Sequence, residues 1–148
     1  MPKLHLELTT PERLLTSQEA DSVTMPTREG EITVLPGHVP LVGILSSGMM
    51  TVKRGDEEEY IAVSGGFVEV QPNGKIVILA DMADRAEELD LAKVEEARER
   101  ARKALEESRG ADEVATAGMV AALEREMARI RAVQKHRMRG RPTPPTGA

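Results

Sequence analysis

The chain has 148 residues, a net charge of −5, no cysteine, no tryptophan and two aromatic residues, Tyr60 and Phe67. That length suits one domain with an appendage, any core must be aliphatic, and disulfides and thiolate metal sites are excluded. No apolar run approaches the roughly 18 residues of a membrane span, and Glu7 and Glu12 interrupt what would be a signal's apolar stretch, so the sequence reads as soluble and cytoplasmic, with no membrane insertion of its own.

The first half of the chain carries short β patterns divided by turn residues. KLHLELT alternates and sets Leu4, Leu6 and Leu8 on one face. SVTMP, EITVLP, MMTVKRG, YIAVSG, FVEVQ and KIVILA follow at hairpin spacing. Gly55-Asp56 reads as a tight turn, and Asn73-Gly74 as a type I′ hairpin, because both of its residues tolerate positive φ. Ser64-Gly65-Gly66 suggests a phosphate loop but runs into FVEV, a strand, so no helix N-terminus is there to hold an anion; a bulge or tight hairpin fits better. Many strands with no helix among them predict two packed antiparallel sheets over residues 1–86.

From residue 86 the pattern becomes helical. AEELDLAKVEEARERARKALEES has neither Gly nor Pro, and Leu91, Val94, Ala101 and Leu105 follow helical spacing. Glu96 with Arg100 and Glu99 with Lys103 are i,i+4 pairs in the favourable order, contributing about 0.3 kcal/mol each. Gly110 is placed to stop this helix and Asp112 to cap a second. In that second helix Val120, Leu123, Met127, Ile130 and Val133 form one stripe. The predicted fold is α+β: an N-terminal antiparallel β-sandwich, a C-terminal antiparallel two-helix hairpin over residues 87–138, and a proline-rich disordered tail, 139–148. The first helix offers its partner mostly alanine, and alanine buries little apolar surface. Such an arm folds by propensity and docks loosely.

Few residues look chemical. His38 sits on a corner braced by Pro36 and Pro40, but His5, His38 and His136 fall in three separate elements, and no nucleophile, phosphate-loop or metal-site spacing accompanies them. A displayed contact corner is the better reading, with no catalytic residue and no metal. Asp90 and Lys93 open the first helix and can serve as an N-cap or hold a polar ligand. Charge is uneven: residues 119–141 carry +5 and residues 1–118 carry −10. A basic end on an acidic body fits nucleic acid, anionic lipid or an acidic protein face; no aromatic interleaves the basic residues to stack on bases, which argues against nucleic acid.

REGEITVLPGHVPLVGILSSGMMTV and VSGGFVEVQPNGKIVILADMADRAEELD contain a PGHxPL corner, a GGFxEV strand and an LAD…LD passage into the helices, in that order. In these segments the chain resembles the epsilon-subunit family of F-type ATP synthases, from about residue 3 to residue 138. Some members carry Gly where Thr33 stands, and the tail falls outside the pattern. The resemblance implies a non-catalytic rotor subunit at the foot of the central stalk, on the cytoplasmic face of a bacterial membrane. It couples rotation of the c-subunit ring to ATP synthesis and restrains ATP hydrolysis through its helical arm. It implies that Arg28, Glu29, Gly30 and Glu31 face the c ring and that His38 lies near the gamma subunit. Extended into the alpha/beta head, the arm would set Arg125, Arg129, Arg131 and Lys135 against an acidic surface. Some members bind ATP in the folded hairpin; the corresponding positions here are Asp84, Asp90, Lys93, Arg125 and Arg129. Lys93-Val94 stands where that pattern has Arg-Ala, which implies weak regulatory ATP binding or none. A free-standing ATP-sensing module is the alternative reading.

Overall fold

The computed structural model describes residues 2–108 and 112–139. The expected helix stop at Gly110 lies outside the described residues, as does the expected tail apart from its first residue, 139, which still belongs to a helix. Eight strands, β1 Leu4–Thr9, β2 Leu14–Ala20, β3 Ser22–Thr27, β4 Gly30–Val34, β5 Leu41–Ile44, β6 Gly48–Arg54, β7 Glu57–Val70 and β8 Lys75–Arg85, precede a 3₁₀ turn at Ala86–Glu88. The helices α1, Leu91–Glu107, and α2, Glu113–Arg139, follow and pack against each other.

The strands form one hydrogen-bonded path, β2-β1-β8-β7-β6-β3-β4, with β5 on β7. It doubles back on itself because β7 and β8 are long enough to serve two layers. The first half of β7 pairs with β6 and its second half with β5, while β8 pairs with it from Ile61 to Val70 across both. The bend falls at Gly65 and Gly66, with φ of +68° and +117°. A Cβ on Gly66 would stand 2.0 Å from the Leu79 carbonyl oxygen, so only glycine fits. The expected bulge or hairpin is thus a corner inside one strand, with register to β8 unbroken on either side.

Alternation across that corner builds the core. Leu4, Leu6 and Leu8 of β1, Ile76 and Ile78 of β8, and Val68 and Val70 of β7 point inward from one layer. Val23, Met25, Met50, Val52, Ile61 and Val63 meet them from the other. The expectation of a wholly antiparallel sandwich needs one correction: β1 runs parallel to β8, from His5 opposite Lys75 to Thr9 opposite Leu79. Parallel neighbours need a long connection, and the whole chain between these two strands supplies it.

Two turns show local chemistry at work. Gly55, at φ +57°, closes the two-residue turn between β6 and β7, and its N–H donates to the Asp21 carboxylate. That hydrogen bond, together with nearby Lys3, holds the Asp21 carboxyl below its ordinary value. At Asn73-Gly74 the expected type I′ turn does not form, since only Gly74 has positive φ. The Gly74 N–H donates to the Gln71 carbonyl oxygen at 3.1 Å. Pro72 fixes the first central position of that turn at negative φ, which overrides the Asn-Gly preference.

Candidate functional site

Two outer faces and the helical arm carry the features that the sandwich positions for contact. On the first layer, side chains of alternate phase to the core point outward. Ile44, Phe67 and Leu79 lie side by side on β5, β7 and β8, since Ile44 pairs with Phe67 and Phe67 with Leu79. Val42 stands beside them, 75% exposed, and Phe67 is 60% exposed. The chain's one phenylalanine therefore lies in a bare apolar row. Sequence patterning hid this row, because FVEV is apolar on both phases around Phe67 and Val68.

The loop expected at the c ring lies at the end of that row. Arg28-Glu29 is the two-residue tip between β3 and β4, and Arg28, Glu29, Gly30 and Glu31 are all exposed. Thr27 Oγ1 donates to the Gly30 carbonyl oxygen at 2.6 Å, and the Arg28 N–H donates to the Ile44 carbonyl oxygen at 3.0 Å. The tip is thereby tied to the end of β5. The His38 corner precedes β5. Its backbone N–H donates to Leu35 at 3.0 Å, and its ring Nδ1 donates to the Val39 carbonyl oxygen at 2.6 Å. That imidazole stiffens its own turn, and Val39 beside it is exposed. Among the described residues no group of three His, Cys, Asp or Glu could hold a metal ion.

The outer face of the second layer is covered by α2. Ala128 and Ala132 are buried against Tyr60, Ala62 and Ala86, with Met49 at the margin. One turn apart, the two alanines let the helix lie close on the strands. Met127, expected in the buried stripe, is 45% exposed, because this face admits only small side chains. Ile130 and Val133 are buried as expected. Val94 is the one buried residue of α1. Two alanine methyls contribute about 0.8 kcal/mol each, less together than one well-buried leucine can, so the apolar seam is thin.

Charge supplements it. Arg129 Nε donates to Asp84 Oδ2 at 2.8 Å, and Nη1 donates to Glu126 Oε1 at 2.6 Å. Nη2 points at the Met82 sulfur. Of the five expected nucleotide positions, the structure joins Asp84 and Arg129 directly. Asp90 is engaged as the N-cap of α1, its Oδ1 accepting the Ala92 N–H at 3.0 Å. Lys93 is exposed and Arg125 half-buried, and among the described residues neither hydrogen-bonds to the Asp84–Arg129 pair. Of the expected head contacts, Arg131 and Lys135 are exposed, whereas Arg129 is half-buried and committed to the seam. The sequence reading missed Glu126; its i,i+3 spacing to Arg129 was the available signal.

The pattern described as ATP synthase, Delta/Epsilon chain, beta-sandwich domain matches residues 3–86. That described as ATP synthase, Delta/Epsilon chain, long alpha-helix domain matches residues 87–134. The chain is 44% identical over 142 residues to the ATP synthase epsilon chain of Dehalococcoides mccartyi, covering 93% of this chain and 96% of that one. It is 45% identical over 133 residues to the ATP synthase epsilon chain of Moorella thermoacetica, covering 89% and 97%. Among solved structures, a chain of Euglena gracilis mitochondrial ATP synthase matches with a TM-score of 0.73 and 28% identity, covering 93% of this chain and 83% of that one. A chain in the central stalk/c-ring structure of Tetrahymena thermophila mitochondrial ATP synthase shares the fold, with a TM-score of 0.51 and 16% identity over 59% and 69%.

Proposed function

Because the chain belongs to the Delta/Epsilon family of ATP synthase chains, we propose that it works as the epsilon subunit, a non-catalytic part of the central stalk that grips gamma with its bare apolar face. The observation that carries this is the row Ile44, Phe67 and Leu79 with Val42. A contiguous apolar patch on a protein surface marks an interaction site, and the sandwich core behind it is already complete without it. The Arg28–Glu29 tip, tied to the end of β5, would reach the c ring beside it, and the His38 corner would border gamma. Torque from the ring then passes through a rigid β body. No helix among the described residues is long and apolar enough to cross a membrane, so attachment to the membrane, at its cytoplasmic face, runs through those partners.

The arm has the physical properties of a regulatory element. It rests on the sandwich through α2, by a thin alanine seam and one ion cluster. A few kcal/mol separate docked from released in such a design, and the released helices would reach the alpha/beta head and restrain ATP hydrolysis. Phe67→Glu tests the grip. The variant is expected to keep its circular dichroism spectrum and to lose co-elution with gamma. Undiminished co-elution would place the gamma contact elsewhere.

A further inference from the structure

We infer that Arg129 is a latch: it holds the arm down by standing between Asp84 of the sheet and Glu126 of its own helix. This rests on the arm being a moving element, as proposed above. Asp84 belongs to β8, whereas Arg129 and Glu126 belong to α2, so the three charges straddle the seam. Every nitrogen of the guanidinium is turned to a partner inside it: Asp84, Glu126 and the Met82 sulfur. The Glu126 side chain is only 13% exposed, and its Oε2 is buried with no hydrogen-bond partner.

The Arg129 guanidinium lies against this poorly hydrated carboxylate and offsets its charge. Without that cation, two carboxylates from opposite sides of the seam face each other in partial burial, where their repulsion is weakly screened. The seam is therefore attractive with the guanidinium in place and repulsive without it. The apolar contacts of Ala128 and Ala132 with Tyr60, Ala62 and Ala86 are the same in either case, so the ionic contribution is what shifts the balance between docked and released.

Hydrogen exchange on the isolated full-length chain tests this. Arg129→Gln is expected to raise exchange at residues 128–133 at least tenfold while β6 and β7 keep their protection. Adding Glu126→Gln is expected to restore most of the lost protection, a rescue that loss of packing alone would not give. Native protection in the single variant overturns the latch, and so does a double variant no better protected than the single. If Arg129→Gln also exposes β6 and β7, Asp84→Asn becomes the deciding variant. At least threefold faster exchange at 128–133 is then expected, with the strands unchanged, and native exchange there overturns the latch. The measurement needs no gamma subunit, so its failure is distinct from failure of the gamma-grip proposal.

Discussion

At the residue scale, the proposal that the arm binds a nucleotide weakly or not at all turns on Arg129, Lys93 and Val94. A triphosphate would need Arg129, whose nitrogens already serve Asp84 and Glu126, and it would approach two carboxylates to reach it. Lys93 keeps a positive charge but lacks the planar fork that grips phosphate bidentately. Val94 is buried, which ties it to the packing of the hairpin. Calorimetric titration of the isolated chain with ATP is expected to give no micromolar binding. Lys93→Arg combined with Val94→Ala is expected to raise whatever affinity exists. Micromolar binding by the native chain, unimproved in that double variant, would show that these residues do not control access.

At the scale of elements, the sandwich has a core of its own, separate from the arm. The residues of the larger core all lie between Leu4 and Ala83, and the helices contribute only to the smaller cluster around Tyr60 and Ala62. Residues 1–86 expressed alone are expected to show a β-type circular dichroism spectrum and to co-elute with gamma. An unfolded spectrum, or a folded product that gamma ignores, would contradict this. The same separation explains what the sequence made legible. β1 could be read because Leu4, Leu6 and Leu8 alternate cleanly, and Asp90 and Asp112 could be read as caps because each precedes a helical pattern; Asp112 Oδ1 accepts the Ala115 N–H at 2.8 Å. β2 escaped notice because Thr16, Ser17, Gln18 and Glu19 on this edge strand hide the phase of Leu15 and Ala20. The corner in β7 escaped for the opposite reason: two glycines signal a turn, and only pairing with β8 on both sides shows that the strand continues. α1 packs on α2 with Ala97 and Ala101 half-buried, but a second alanine seam, between α2 and the sheet, escaped notice. Small residues on α2 face the sheet, and nothing in a helical period says which neighbour a small face will meet.

On the scale of the whole molecule, the two outer faces of the sandwich differ. One bears α2, and the other bears the bare apolar row with the Arg28–Glu29 tip at its end. An arm leaving its face would uncover Tyr60, Ala62 and Met49 and leave the opposite face unchanged, so release and the proposed gamma grip would not compete for the same surface. That arrangement lets the basic charge of α2 be tested apart from assembly. Arg131 and Lys135 are exposed in the docked state and Arg125 is half-buried, and none of the three belongs to the Arg129 cluster. Replacing Arg125, Arg131 and Lys135 with glutamine removes three of the seven basic residues in 119–141 and leaves the latch in place. If the extended arm meets an acidic head, the assembled complex should hydrolyse ATP faster, with subunit composition unchanged. The difference between native and variant complexes should shrink as salt rises, because exposed charges are screened over about 8 Å at physiological ionic strength. Equal hydrolysis by native and variant complexes at low salt would return these three side chains to an ordinary solvated face.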